Sequence, residues 1–180
     1  MNPSNDIKNQ EKITLKPLTG LEESEIKGAM GVYTLIIFVS SPFTASIGHL
    51  GKKKIERGYY AYTGSAFGKG SSSLAGRVSR HLKKTKRKRW HIDYLLCSED
   101  VTVKGVVAMT TWRRVECEIN QYLMNRLKAE VPILNFGSSD CRMKCRSHLL
   151  YLGSNNDVVG RIVDLYMEKR EGRIFAFLDC

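Results

Sequence analysis

Several things are missing from this chain of 180 residues, and each absence narrows what it can be. No apolar run approaches the ~20 residues of a membrane-spanning helix; the longest is Val32 to Val39. The polar start, MNPSNDIKNQEK, lacks the apolar stretch of a signal peptide, so a soluble cytoplasmic protein without a membrane partner is expected. The five cysteines (Cys97, Cys117, Cys141, Cys145, Cys180) are odd in number and dispersed, which suits a reducing compartment better than a disulfide framework. Nothing repeats at a fixed period, and the length suits one domain with a real core.

The sharpest absence is local. From Arg57 to Ile92 there is no Asp or Glu, while ten Lys and Arg residues occur, so the net charge of +11 is concentrated there. That pattern fits a polyanion partner, most often nucleic acid, set against the plainer reading of a solvated basic face. Within this stretch GSAFGKGSSS, Gly64 to Ser73, approaches a P-loop but misses it. Three residues rather than four separate the glycines, and Lys69 is followed by Gly70 where the magnesium hydroxyl should stand. No nucleotide cofactor is expected.

What is present reads as strands interleaved with helices. Residues 1–27 form a loose arm with a short strand near Ile13 to Leu18. Gly31 opens VYTLIIFVS, rich in β-branched and aromatic residues, and Ser41-Pro42 turns it into FTASIGHL as a hairpin. GYYAYT is a third strand. Ser71 to Ser73 offer caps for a helix over about 74–84, whose stripe of Leu74, Val78 and Leu82 meets a cationic flank at His81. VTVKGVVAM is a fourth strand, and a helix over roughly 113–129 follows from Val115, Ile119, Tyr122, Leu123 and Leu127. Glu116 falls within that apolar arc, where a carboxylate needs a partner, a metal or a function. LLYL, a helix from Asp157 and RIFAFL complete an α+β chain with a mixed α/β sheet rather than a doubly wound fold.

Read in order, Gly31-Val32-Tyr33, Tyr62-Thr63-Gly64-Ser65-Ala66, Arg77-x-x-x-His81 and Glu116 resemble the GIY-YIG nuclease superfamily. WHIDYLL and GSSDC make the chain most similar to an uncharacterised branch typical of archaea, a domain of unknown function. The resemblance covers about residues 28–152, leaving 153–180 as a C-terminal helix and strand packed on the same domain. It implies a small, mainly antiparallel central sheet flanked by helices, and phosphodiester hydrolysis with one divalent ion, Mg²⁺ or Mn²⁺. Carried over by position, Tyr33, Tyr62, Arg77, His81 and Glu116 are the catalytic residues, with Glu116 as metal ligand. A tyrosine whose pKa is lowered by neighbouring cations could act as base, and Arg77 could hold the non-bridging oxygens. The resemblance offers Asn135 as a late helper, for which Asp140 could equally serve. Two features depart from the family's pattern: Thr63 in place of isoleucine, and SSPFTASIGHLGKKKIER, an added hairpin and loop between the tyrosines.

DNA, more than RNA, is the expected partner, gripped through backbone phosphates by Lys69, Arg80, Lys83, Lys84, Lys86, Arg87, Lys88 and Arg89, with His91 beside them. His91 reads equally well as a structural hydrogen-bonder. Because the related branch is sometimes joined to a DNA-repair glycosylase, repair intermediates are plausible substrates. The competing class is a catalytically inactive nucleic-acid-binding module of the same fold, using Trp90 or Tyr60 to stack on bases. Cys141-x-x-x-Cys145-x-x-His148 carries zinc-type donors, but its spacing is untidy and Cys97, Cys117 and Cys180 compete as fourth ligand. Reduced thiols are therefore expected there rather than structural zinc.

Overall fold

The computed structural model describes residues 14–20, 25–141, 143–169 and 171–179. Its strands are β1 (Thr14–Pro17), β2 (Gly31–Val39), β3 (Phe43–Ser46), β4 (Lys52–Ile55), β5 (Gly58–Ala66), β6 (Val101–Thr110), β7 (Leu149–Gly153) and β8 (Ile174–Leu178). The α-helices are α1 (Leu74–Leu82), α2 (His91–Leu96), α3 (Glu116–Leu127) and α4 (Val158–Lys169). Six strands form one sheet in the order β1-β8-β6-β2-β5-β7, antiparallel throughout except for the parallel pair β1 and β8. This is the expected α+β architecture.

The sheet is buried on both faces, which is why β2 reads as a nearly unbroken apolar run rather than an alternating one. Tyr33, Leu35, Ile37 and Val39 point to one face, under α1 and α2. Val32 and Ile36 point to the other, under α3 and α4. Thr34, on that second face, bonds both Thr63 Oγ1 at 3.0 Å and the Tyr166 hydroxyl at 2.7 Å. Thr63 is thus a satisfied polar group in the core, and its departure from isoleucine leaves the strand unharmed.

Two expectations change at this level. β2 does not form a hairpin with FTASIGHL; β3 leaves the main sheet and pairs with β4 as a separate two-stranded ribbon, so the insertion between the tyrosines is itself the hairpin. The basic segment GKKKIERG is consequently strand β4 rather than loop. The C-terminal segment supplies β8, which lies between β1 and β6 in the sheet. Of the N-terminal arm, Thr14–Pro17 pairs with β8, Ile26 is fully buried, and residues 1–13 and 21–24 lie outside the described residues.

One asymmetry in the sheet positions the site. β7 pairs with β5 over Tyr59 to Tyr62, and beyond Thr63, whose N–H donates to His148 O at 3.1 Å, β5 has only β2 beside it. The loop between α3 and β7, and the first turn of α3, gather at this open edge.

Candidate functional site

The cleft at that edge has a volume of about 1090 Å³ and is lined by Tyr33, Tyr62, Arg77, His81 and Glu116 together. Each is delivered by a different local rule. Tyr33 is paired across β2 and β5 with Gly64, and a Cβ at Gly64 would stand 2.6 Å from the Tyr33 hydroxyl, so only glycine leaves the ring its place. Ser73 caps α1, its Oγ accepting from Gly76 N–H at 3.3 Å, and so sets the helix register that turns Arg77 and His81 inward. Glu116 is the first residue of α3, not the fourth of a helix that begins near Arg113 as the periodicity suggests, because Thr111 Oγ1 accepts from Arg113 N–H and keeps Arg113 out of the helix. Its carboxylate therefore faces the cleft instead of the packed helix face.

Tyr33 and His81 are coupled, with the phenol oxygen 2.8 Å from His81 Nε2. Burial drives the His81 imidazole down to about 3, with Lys86 adding to the effect, so the ring is neutral and accepts the Tyr33 proton. His81 Nδ1 stands 3.8 Å from Asp93 Oδ1, a carboxylate with no exposed surface. Burial alone would raise the Asp93 carboxyl, but the Arg80 fork, at 2.9 Å to each oxygen, and the N–H groups of Trp90 and Arg89 outweigh it and hold it ionised. The tyrosines contradict the expectation of a depressed phenol. Burial raises Tyr62 to about 12 and Tyr33 further, and the nearby Arg77 offsets only part of it.

Five buried side-chain polar atoms have no hydrogen-bond partner among the described residues, and three of them belong to cleft residues: Arg77 Nε, His81 Nδ1 and Glu116 Oε2. An unpaired buried polar atom costs about 1–3 kcal/mol, so a cluster of three around one cavity is unlike ordinary core packing.

The basic run divides. Arg80 is spent on Asp93 and on Arg87 O, Lys84 donates to the Ser98 and Val101 carbonyls, and Lys86 to the Arg80 and His81 carbonyls. These three tie the basic segment to the fold, and burial lowers Lys86 to about 8. Lys69, Lys83, Arg87, Lys88 and Arg89 are exposed and, among the described residues, their side chains make no hydrogen bond or ion pair. His91 takes the structural alternative, its Nδ1 accepting from Gly137 N–H at 3.0 Å. Tyr60 is buried, donating to Glu56 O, and Trp90 is half-buried beneath Arg77 and Arg80, so neither is a free stacking platform. Trp112, 85 % exposed and two residues before Arg114 at the cleft wall, is the aromatic that the sequence reading passed over. His49, from the insertion, also reaches the cleft and packs against His91. Asp140 lines the cleft; Asn135 is not among the lining residues.

The loop's cysteines are free thiols, but they are gathered with a thiol of α3. Cys117 Sγ, Cys141 Sγ, Cys145 Sγ and a His148 ring nitrogen lie within 4.8 Å of one another, a group that could hold a metal ion. Cys117 is the missing fourth member. Cys97 ends α2 elsewhere, and Cys180 lies outside the described residues.

Fold and site together define an α+β domain with a polar, partly basic cleft at a sheet edge and a thiol-imidazole tetrad in its wall. The chain belongs to the family described as domain of unknown function DUF123, whose family model matches residues 32–171. No curated protein and no solved structure matches the chain.

Proposed function

We infer that this domain is a GIY-YIG-type, divalent-metal-dependent endonuclease that hydrolyses DNA phosphodiester bonds. The carrying observation is that three residues with a buried, unpaired polar atom among the described residues, Arg77, His81 and Glu116, line one cavity that also holds both tyrosines. The buried Glu116 oxygen, a hard anionic donor without a partner, fits Mg²⁺ or Mn²⁺. Such an ion, when bound, would neutralise phosphate charge and favour deprotonation of the attacking water.

The chain's own residues do the rest. Arg77 lies in the wall, and its guanidinium is suited to the non-bridging oxygens of a scissile phosphate. Tyr33 donates to the neutral His81, which orients the phenol so that its lone pairs can accept a hydrogen bond from the attacking water and position it. The ionised Asp93, 3.8 Å from His81 Nδ1, favours the tautomer that carries its proton on Nδ1 and leaves Nε2 to accept from Tyr33. Tyr62 stays protonated at neutral pH and serves as a donor to a phosphate oxygen. Lys69, Lys83, Arg87, Lys88 and Arg89 meet backbone phosphates without reading sequence. Repair intermediates as substrates, and DNA over RNA, rest on the resemblance.

The test is incubation with supercoiled, single-stranded and branched DNA and with structured RNA, in Mg²⁺ or Mn²⁺, beside the Glu116→Ala and Arg77→Ala proteins. Cleavage by wild type that both substitutions abolish supports the reading. Salt-sensitive binding with no cleavage would instead make the domain a binding module, and cleavage that survives loss of Glu116 would sink the assignment.

A further inference from the structure

We propose that Cys117, Cys141, Cys145 and His148 bind one zinc ion in a closed tetrahedral site that clamps the first turn of α3 to the 136–148 loop and thereby aims two carboxylates into the cleft.

The donor set is the first argument. Three thiolates and an imidazole select zinc among the common cellular cations, and four protein ligands leave no open position, which makes the site structural rather than catalytic. The dimensions agree. Ligands about 2.3 Å (sulfur) and 2.0 Å (nitrogen) from a tetrahedral zinc lie about 3.5–3.8 Å apart. Cys117 Sγ is 3.3 Å from Cys141 Sγ and 3.7 Å from His148 Nε2, and no pair of ligand atoms exceeds 4.8 Å. The thiols are unbonded to each other, and a disulfide would need about 2.05 Å.

The surroundings are those of a built site. Gln121 Nε2 lies 3.5 Å from Cys145 Sγ, an N–H aimed at a ligand sulfur of the kind that steadies metal-bound thiolates. One turn away, Asn120 Nδ2 donates to Ser147 O at 2.8 Å, fixing the same helix to the same loop. The loop needs such a staple. Between Phe136 and Ser147 the chain is irregular, and Ser139, Asp140, Lys144 and Arg146 are exposed while Cys145 is buried. A segment that turns its thiol inward and its polar residues outward has little else with which to make a core.

Position gives the site its consequence. Glu116 precedes Cys117 and Asp140 precedes Cys141, and both carboxylates line the cleft. Fixing the two sulfurs fixes the backbone from which the two carboxylates project. Binding converts three thiols to thiolates with release of three protons and involves no redox change.

The test uses the full chain, expressed with zinc in the medium, purified in reducing buffer and washed with EDTA. Elemental analysis should return about one zinc per chain, displaced by a mercurial. Cobalt exchanged into the site should give the visible bands of tetrahedral coordination with thiolate charge transfer in the near ultraviolet. Cys145→Ser should lose the ion, Cys97→Ser should keep it, and His148→Cys should keep it with an all-thiolate cobalt spectrum. On metal release, amide exchange should accelerate over residues 117–121 and 137–148. A folded wild-type chain that carries no zinc and whose Cys117, Cys141 and Cys145 all react at once with a thiol reagent, or one isolated with a Cys117–Cys141 disulfide, would overturn the proposal. None of these readouts depends on nucleic-acid cleavage.

Discussion

Glu116 and Cys117 are neighbours in sequence and belong to two different kinds of site. Glu116 offers a hard oxygen, unpaired, to a wide cleft that also holds phenols, an imidazole and guanidinium groups. Cys117 offers a soft sulfur to a tight cluster in which every other member is a thiol or an imidazole. The first arrangement is unfinished, as the proposed nuclease site would have to be to admit and release a substrate. The second is closed on itself, as a structural centre must be. One turn of helix serves both because consecutive residues at a helix start point in different directions.

The largest expected effect breaks the comparison on its open side. Glu116→Gln keeps the shape and removes the charge, so cleavage should fall about 10³-fold or more while zinc content and melting temperature stay unchanged. Nicking of supercoiled DNA beside elemental analysis measures both, and a rate within tenfold of wild type would detach the carboxylate from the chemistry. The closed side should break differently. Cys145→Ser should lower the melting temperature by on the order of 10 °C, because the metal's binding energy is folding energy. Omitting Mg²⁺ or Mn²⁺ from the buffer should halt cleavage, restored on adding the ion back, and leave that temperature unchanged.

The two sides also differed in how far the sequence revealed them. The tyrosines and Arg77-x-x-x-His81 lie on elements whose period is local, so strand and helix patterns found the elements, while their meeting at one wall was what the resemblance implied. The tetrad joins Cys117 to residues 24 and more positions away through a loop without period, and no local pattern encodes that closure. Glu116 fell between the two. Its apolar neighbours suggested a helix beginning near Arg113, whereas the Thr111 turn delays the start to Glu116 and changes where the carboxylate points. The same tertiary logic divides the basic run, since backbone carbonyls come within reach of Lys84 and Lys86 and not of the Lys83 and Lys88 side chains among the described residues.

Intermediate effects should come from the geometry that supports the open side. In Gly64→Ala the new Cβ would stand 2.6 Å from the Tyr33 hydroxyl, against a ring locked to His81. The ring must shift, which should cost about 1–3 kcal/mol of stability and reduce cleavage by at least about tenfold. Denaturant unfolding and single-turnover kinetics would separate the two losses. His81 should reveal itself through pH. The unfolded imidazole takes up a proton near its ordinary value of 6.5, while the folded one refuses it until about 3, so stability should fall as the pH drops through that window. His81→Gln should flatten that slope, leaving the steeper loss below 3.8 that Asp93 contributes as its carboxylate is finally protonated. An unchanged slope in urea melts across the window would place the buried proton-refusing group elsewhere.

The smallest effect concerns two adjacent lysines. Lys83 and Lys84 carry equal charge at neighbouring positions, but Lys84 is committed to the Ser98 and Val101 carbonyls, and the Lys83 side chain is exposed. If the basic segment meets DNA through backbone phosphates, Lys83→Ala should reduce the slope of log affinity against log salt by about one, with no change in melting temperature. Lys84→Ala should do the reverse, lowering stability by about 1–3 kcal/mol and leaving the salt slope nearly intact. Equal slopes for the two variants would mean that the lysine's internal hydrogen bonds do not withhold it from the phosphates, and the division of the basic run into structural and binding cations would have to be redrawn.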